Sequence, residues 1–101
     1  MFKPSKAIAD TQLGTNASAT GSPSIAIGEE ASAQSPFSIS IGKDTSAEEV
    51  DAIAIGRDSI SNGEFSIAIG AESLIGAIAD YAIVIGGESI AEGTYLSLIH
   101  I

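Results

Sequence analysis

The chain has 101 residues, and its 13 acidic residues against 4 basic ones give a formal net charge of −9. That length allows one domain or a piece of a longer chain, and so acidic a surface repels phosphate backbones, which argues against nucleic acid as a partner. With 45% hydrophobic but only 5% aromatic residues and no cysteine, the interior must be filled by isoleucine, alanine and other small side chains, and disulfide staples and thiol catalysis are excluded.

Residues 1–9 fit no pattern found later in the chain and read as a lead-in or truncation scar. Met1-Phe2-Lys3-Pro4-Ser5-Lys6 carries two lysines but no apolar stretch after them, so it is no signal peptide. No run of 18 apolar residues occurs, so no membrane contact is expected from this segment. From residue 10 the chain becomes periodic. Gly14, Gly28, Gly42, Gly56, Gly70 and Gly86 follow one another at 14, 14, 14, 14 and 16 residues. A fixed short period is the mark of a stacked repeat.

Each glycine from Gly28 onward closes a tetrad: Ser24-Ile25-Ala26-Ile27, Ser38-Ile39-Ser40-Ile41, Ala52-Ile53-Ala54-Ile55, Ser66-Ile67-Ala68-Ile69 and Ala82-Ile83-Val84-Ile85. The first coil is weaker, with Thr11 and Leu13. Alternating large and small residues give the period-2 pattern of a half-buried strand, and β-branched residues favour it. If the residue four before each glycine is numbered 1, the isoleucines occupy positions 2 and 4. The inward core is expected to be Ile25, Ile27, Ile39, Ile41, Ile53, Ile55, Ile67, Ile69, Ile83 and Ile85. The glycine at position 5 then turns the corner, where positive φ is tolerated.

Positions 8 and 10 are small: Ala17 and Ala19, Ala31 and Ala33, Thr45 and Ala47, Ser59 and Ser61. They predict a second short strand with a crowded inward face. Two strands and two turns in 14 residues give a two-sided parallel roll of about six coils, with neighbouring coils ~4.8 Å apart. Isoleucine on one wall and alanine or serine on the other make a thin core, and small domains bury too little surface to be comfortable alone. Self-association is therefore expected, with the small residues at position 3 (Ala26, Ser40, Ala54, Ala68) allowing close approach. The longer coil before Gly86 is expected to bulge its two extra residues at a turn within Gly76-Ala77-Ile78-Ala79-Asp80-Tyr81. The closing run Leu96-Ser97-Leu98-Ile99-His100-Ile101 falls out of phase, with Ser97 where isoleucine belongs and His100 where glycine belongs. It reads as a separate tail, 96–101, either genuine or an artefact of translated adapter sequence.

No catalytic constellation emerges. His100 is the only histidine, and nucleophilic catalysis needs a base beside a nucleophile, oriented by a third group. Position 7 is an acidic column of Glu30, Asp44, Asp58, Glu72 and Glu88, which reads as a solvated turn rather than a cation ladder, with Lys43 and Arg57 offsetting its repulsion. No metal or cofactor is expected. Position 14 carries Phe37, Phe65, Tyr81 and Tyr95, which reads as packing at a turn or between chains, with a ligand platform as the alternative. Position 9 changes from Ser18, Ser32 and Ser46 to Ile60, Leu74 and Ile90. If positions 8 and 10 face inward, these last three form an exposed apolar stripe, the candidate partner surface.

The segment Gly14-Thr15-Asn16-Ala17-Ser18-Ala19-Thr20-Gly21-Ser22-Pro23-Ser24-Ile25-Ala26-Ile27-Gly28 resembles the head repeat of the YadA-like trimeric autotransporter adhesins. That repeat runs as Ser-Val-Ala-Ile-Gly, two variable residues, Ala-x-Ala and often a second glycine, matched at Gly21, Gly63 and Gly93. The resemblance spans about residues 10–95. It implies an all-β, left-handed parallel β-roll, three chains per head, and exposure at the bacterial cell surface as part of a longer exported, outer-membrane protein. It also implies a non-enzymatic role in virulence: adhesion to host extracellular matrix or a cell-surface protein. Phage and prophage tail proteins carry similar repeats, so a tail-fibre structural or receptor-binding module is the alternative. A left-handed β-helix acyltransferase also shows Ile-Gly-x-x-small-x, as in Ile27-Gly28-Glu29-Glu30-Ala31-Ser32, but repeats it every six residues. An ice-binding solenoid wants ranks of threonine that are missing here.

Overall fold

The computed structural model describes residues 10–99. In chain order the strands are β1 (Asp10–Leu13), β2 (Ser18–Ala19), β3 (Ser24–Ile27), β4 (Ser32–Ala33), β5 (Ile39–Ile41), β6 (Ser46–Ala47), β7 (Ile53–Ile55), β8 (Ile60–Ser61), β9 (Ile67–Ile69), β10 (Leu74–Ile75), β11 (Ile83–Ile85), β12 (Ile90–Ala91) and β13 (Ser97–Ile99). Odd-numbered strands form one seven-stranded sheet and even-numbered strands a six-stranded one. Every pairing is parallel and offset by one coil, as in Ile39 opposite Ile53 and Ala47 opposite Ser61. The chain is a parallel β-solenoid of about six turns, as its glycine spacing predicts.

Two tight turns close each coil. The first runs from position 5 to position 8, where the N–H of Ala31 donates to the carbonyl of Gly28 at 3.3 Å. The second runs from position 12 to position 1 of the next coil, where the N–H of Ala52 donates to Glu49 O at 3.1 Å. Both place the residue before the closing one at positive φ: Asp44 at 56° and Glu72 at 61° in the first turn, Phe65 at 57° and Tyr81 at 62° in the second. Asp and Asn accept that region with little cost, whereas for an aromatic residue it is unusual and strained. The position-5 glycines are demanded twice over. Gly28 has φ +126°, and a Cβ on it would lie 2.4 Å from the carbonyl oxygen of Gly42 in the next coil.

The interior differs from the expectation on one wall. Positions 8 and 10 face inward as predicted: Ala31, Ala33, Thr45, Ala47, Ser59 and Ser61 are buried. On the seven-stranded sheet, however, the buried residues are those at positions 1 and 3, namely Ser24, Ala26, Ser38, Ser40, Ala52, Ala54, Ser66, Ala68, Ala82 and Val84. Ile25, Ile27, Ile39, Ile41, Ile53, Ile55, Ile67, Ile69 and Ile83 are half-buried on the outer face, and Ile85 is 39% exposed. The expected isoleucine core is thus inverted, and the position-3 residues are inside the roll rather than available for approach between rolls. The reason is width. Two turns and two short strands leave the sheets too close to hold large side chains from both, so small residues fill both walls and the branched ones are displaced outward. Hydroxyls in this interior find partners, as buried polar groups must: Ser40 Oγ donates to Thr45 Oγ1 at 2.7 Å, and the Ser61 and Ser66 hydroxyls lie 2.6 Å apart.

The 16-residue coil accommodates its insertion as a surface turn. Ala79 N–H donates to Gly76 O at 3.1 Å, and Ile78 projects at 77% exposure. The longer perimeter also widens the interior. There Ile75, at a position where other coils have alanine or serine, is fully buried and packs in one cluster with Ala68, Ala79, Ala82, Val84 and Ala91. Backbone register continues to Ile99: Ser97 lies opposite Ile83, and Leu98 opposite Val84. Leu98 points inward against that cluster, while Ser97 stands at an outward position where an isoleucine is dispensable for the coil itself. The predicted lead-in 1–9 and His100 lie outside the described residues.

Candidate interaction surfaces

The outer face of the seven-stranded sheet is a wall with two parallel columns. Strand register aligns Thr11, Ile25, Ile39, Ile53, Ile67, Ile83 and Ser97 in one, and Leu13, Ile27, Ile41, Ile55, Ile69, Ile85 and Ile99 in the other. Each isoleucine is partly covered by its neighbours one coil above and below, and the remainder faces out. A contiguous apolar surface of this kind on a single chain marks an interface.

The wall has two unlike edges. Along one runs the position-14 turn. Phe65 and Tyr81 stack there with centroids 5.1 Å apart, and Tyr81 and Tyr95 with centroids 4.9 Å apart. The rings are 43%, 47% and 74% exposed along that ladder. Phe37 is in the same column but cut off from it, because position 14 of the intervening coil is Asp51, a residue the sequence reading passed over. Beside Phe37 a shallow groove of about 270 Å³ opens between Pro23, Ile25 and Ile39. Along the other edge runs the position-7 acidic column. Lys43 Nζ contacts Glu29 Oε1 at 2.5 Å and Asp44 Oδ2 at 3.1 Å. Arg57 bridges Asp58 and Glu72 at 2.8 and 3.1 Å. The hydrogen bond to Glu29, followed by that to Asp44, raises the Lys43 pKa above its ordinary value. Ion pairing between coils, rather than metal ligation, is what this edge displays.

The opposite outer face is narrower. Because its strands are two residues long, only position 9 projects from each. Register aligns Ser18, Ser32 and Ser46 with Ile60, Leu74 and Ile90 in a single column. Ile60 and Leu74 are half-buried and Ile90 is 54% exposed. The serine half makes polar contacts, with Gln34 Nε2 donating to Ser32 Oγ and Ser46 Oγ donating to Glu48 Oε2, both at 2.8 Å.

The family model of the YadA head domain repeat matches residues 13–28, 19–45 and 47–73, more than half of the chain. The chain belongs to the YadA head domain repeat family. No curated protein matches its sequence. Head repeats of this family mark an adhesin-like module of the trimeric autotransporter type, and coils beyond residue 73 continue the same strand register to Ile99. In the head repeat the glycine, the two αL turns and the small inward residues are structural. What the repeat leaves free to vary is outward: the wall, its two edges and the position-9 column. Buried serines do not form a nucleophilic site, since Ser38, Ser59, Ser66 and Ser73 donate their hydroxyl protons to main-chain carbonyls in the turns.

Proposed function

We propose that this chain is the head module of a surface-exposed bacterial adhesin, working as a homotrimer that binds a host matrix or cell-surface protein without turning over a substrate. The observation that carries the reading is the pair of isoleucine columns on the outer face of a chain whose own interior holds almost no large side chain. Burying a half-exposed isoleucine contributes roughly 1 kcal/mol, so ten of them on one flat face are a large incentive to assemble. Three rolls with their walls toward a common axis bury all three walls at once. The face opposite the wall then points away from the axis, and the stripe of Ile60, Leu74 and Ile90 becomes the partner surface, present three times per head. Repetition lets weak sites act together without new contacts.

Sedimentation of the purified chain tests the assembly, with a stable folded monomer as the contrary result. The partner surface is tested by changing Ile60, Leu74 and Ile90 together to Ser. Adhesion to matrix proteins should fall while the far-UV spectrum and the assembly state stay as they were, and undiminished adhesion by the folded variant removes the stripe from the proposal. Exchange of substrate-like esters or acyl donors at a catalytic rate by the purified head contradicts the non-enzymatic part.

A further inference from the structure

We infer that Asp51 accepts an ion pair from Lys43 and Arg57 of the neighbouring copy, and that this contact sets the axial register of the three rolls. The inference rests on the homotrimer proposed above.

Position 14 reads Pro23, Phe37, Asp51, Phe65, Tyr81 and Tyr95 along the roll. Asp51 is the one carboxylate in that column, and it separates Phe37 from the stacked rings. Its N–H donates to Pro36 O at 3.2 Å, but its carboxylate has no ion pair or hydrogen bond among the described residues. A carboxylate covered by an apolar neighbour without a partner is costly. Something must meet it if this edge is buried.

Only two basic residues occur between residues 10 and 99, Lys43 and Arg57. Both occupy position 6, on the opposite edge of the same wall, and they come from consecutive coils. Asp51 lies in the chain between them, at the end of the coil that holds Lys43 and just before the coil that holds Arg57. Along the roll axis it therefore sits between the two cations, within about one coil step of ~4.8 Å from each. Within one roll they do not meet, because the four-residue breadth of the wall, roughly 13 Å, separates the edges.

A closed ring brings them together. In a cyclic assembly with parallel rolls the contacts are heterologous, so one edge of each wall meets the opposite edge of the next. Rotation about the axis preserves axial level. The aromatic ladder of one copy then packs on the position-4 column of the next, and Asp51 arrives between Lys43 and Arg57. Both cations have donors to spare: two of the three ammonium N–H groups and two of the five guanidinium N–H groups are engaged within the chain. Four carboxylates already surround these cations, so the attraction is short-ranged. A slip of one coil replaces a cation by Glu29 on one side or by Ala71 and Glu72 on the other. Attraction then turns to repulsion, which is how a single charge pair selects one register among several.

The absence of cysteine makes the test direct. Asp51→Cys is combined with Lys43→Cys or with Arg57→Cys in the full chain. Each is treated with a bismaleimide that matches an extended Asp–Lys pair and falls short of the wall's breadth. Both double variants should run as a covalent trimer on a denaturing gel, and each single variant as a monomer. Asp51→Asn, which keeps a residue suited to positive φ, should raise the trimer dissociation constant about tenfold and flatten its salt dependence. A sedimenting trimer that neither pair can link overturns the register contact while leaving the homotrimer intact. Linkage through Asp51→Cys alone shows a two-fold arrangement and overturns both, and a chain that sediments as a monomer before any substitution removes the premise.

Discussion

The two faces of the seven-stranded sheet are built from the same strands and could hardly differ more. Inside lie Ser38, Ser40, Ala52, Ala54, Ser66 and Ala68, all at 0% exposure. Outside lie Ile39, Ile41, Ile53, Ile55, Ile67 and Ile69, each only half-covered. In an ordinary two-sheet domain the large residues would be enclosed between the sheets at ~10 Å separation. Here the enclosed space is too narrow for them, and the apolar side chains that supply most hydrophobic stabilisation are left to contact another molecule. The roll specifies its shape by small-residue fit and main-chain pairing, and draws its remaining stability from assembly.

The harshest way to break that contrast is to exchange the faces locally. Ala54→Leu puts three extra carbons into an interior lined by Ala47 and Ala52, with backbone of the adjoining coils directly above and below. Overpacking of this kind costs about 3 kcal/mol or more when neighbours cannot shift. A drop in the denaturant midpoint large enough to leave the chain unfolded at 37 °C is expected, while Ile53→Ala, one residue away, should leave the coil's far-UV spectrum unaltered. Equal effects of the two would show that inside and outside are energetically alike.

A second exchange addresses the wall alone. Ile53→Asp with Ile67→Asp puts two charges where three walls are proposed to meet. Each would be buried without a partner, so the dissociation constant of the trimer should rise about a hundredfold or more. Sedimentation velocity at graded concentrations reads this, and circular dichroism checks that single rolls survive. A third substitution sharpens the comparison from the other side. Ile60→Ser, Leu74→Ser and Ile90→Ser on the narrow face should cost about 2 kcal/mol of stability in all and leave the assembly unchanged, because that face points away from the axis.

Much of this architecture is legible in the residues. The glycine spacing gives the coil length, the period-2 tetrads give strands, and the small residues at positions 8 and 10 give one wall of the interior. What the pattern does not contain is its own parity. Alternation places Ile53 and Ile55 on one face and Ala54 on the other, and a period of two is silent on which face is inside. The usual resolution, large apolar residues inward, fails because the breadth of the cavity is set by how tightly the two turns fold. That is decided by αL residues such as Asp44 and Phe65 rather than by hydrophobicity. Asp51 escapes notice for a related reason. In sequence it is one more acid among 13, and only the stacking of coils reveals that it breaks an aromatic column.

That column provides the smallest and most delicate test. Tyr81 holds φ at 62°, a region that is uncomfortable for an aromatic residue and natural for asparagine. It also stacks on both Phe65 and Tyr81's other neighbour, Tyr95, at nearly parallel angles of 14° and 10°. Tyr81→Asn releases the backbone strain, about 1 kcal/mol, and forfeits two aromatic contacts of about 0.5–1.5 kcal/mol each. In an isolated roll the two nearly cancel, and the unfolding free energy should move by no more than about 1 kcal/mol. In the trimer the ladder is proposed to lie on the position-4 isoleucines of the neighbouring copy, so the same substitution removes contact area that the single roll never uses. Stability measured at concentrations above the trimer dissociation constant should therefore fall further than stability measured below it. A loss of equal size in both regimes would place the ladder outside the interface, and the strained aromatic turn would then have to be explained by a ligand.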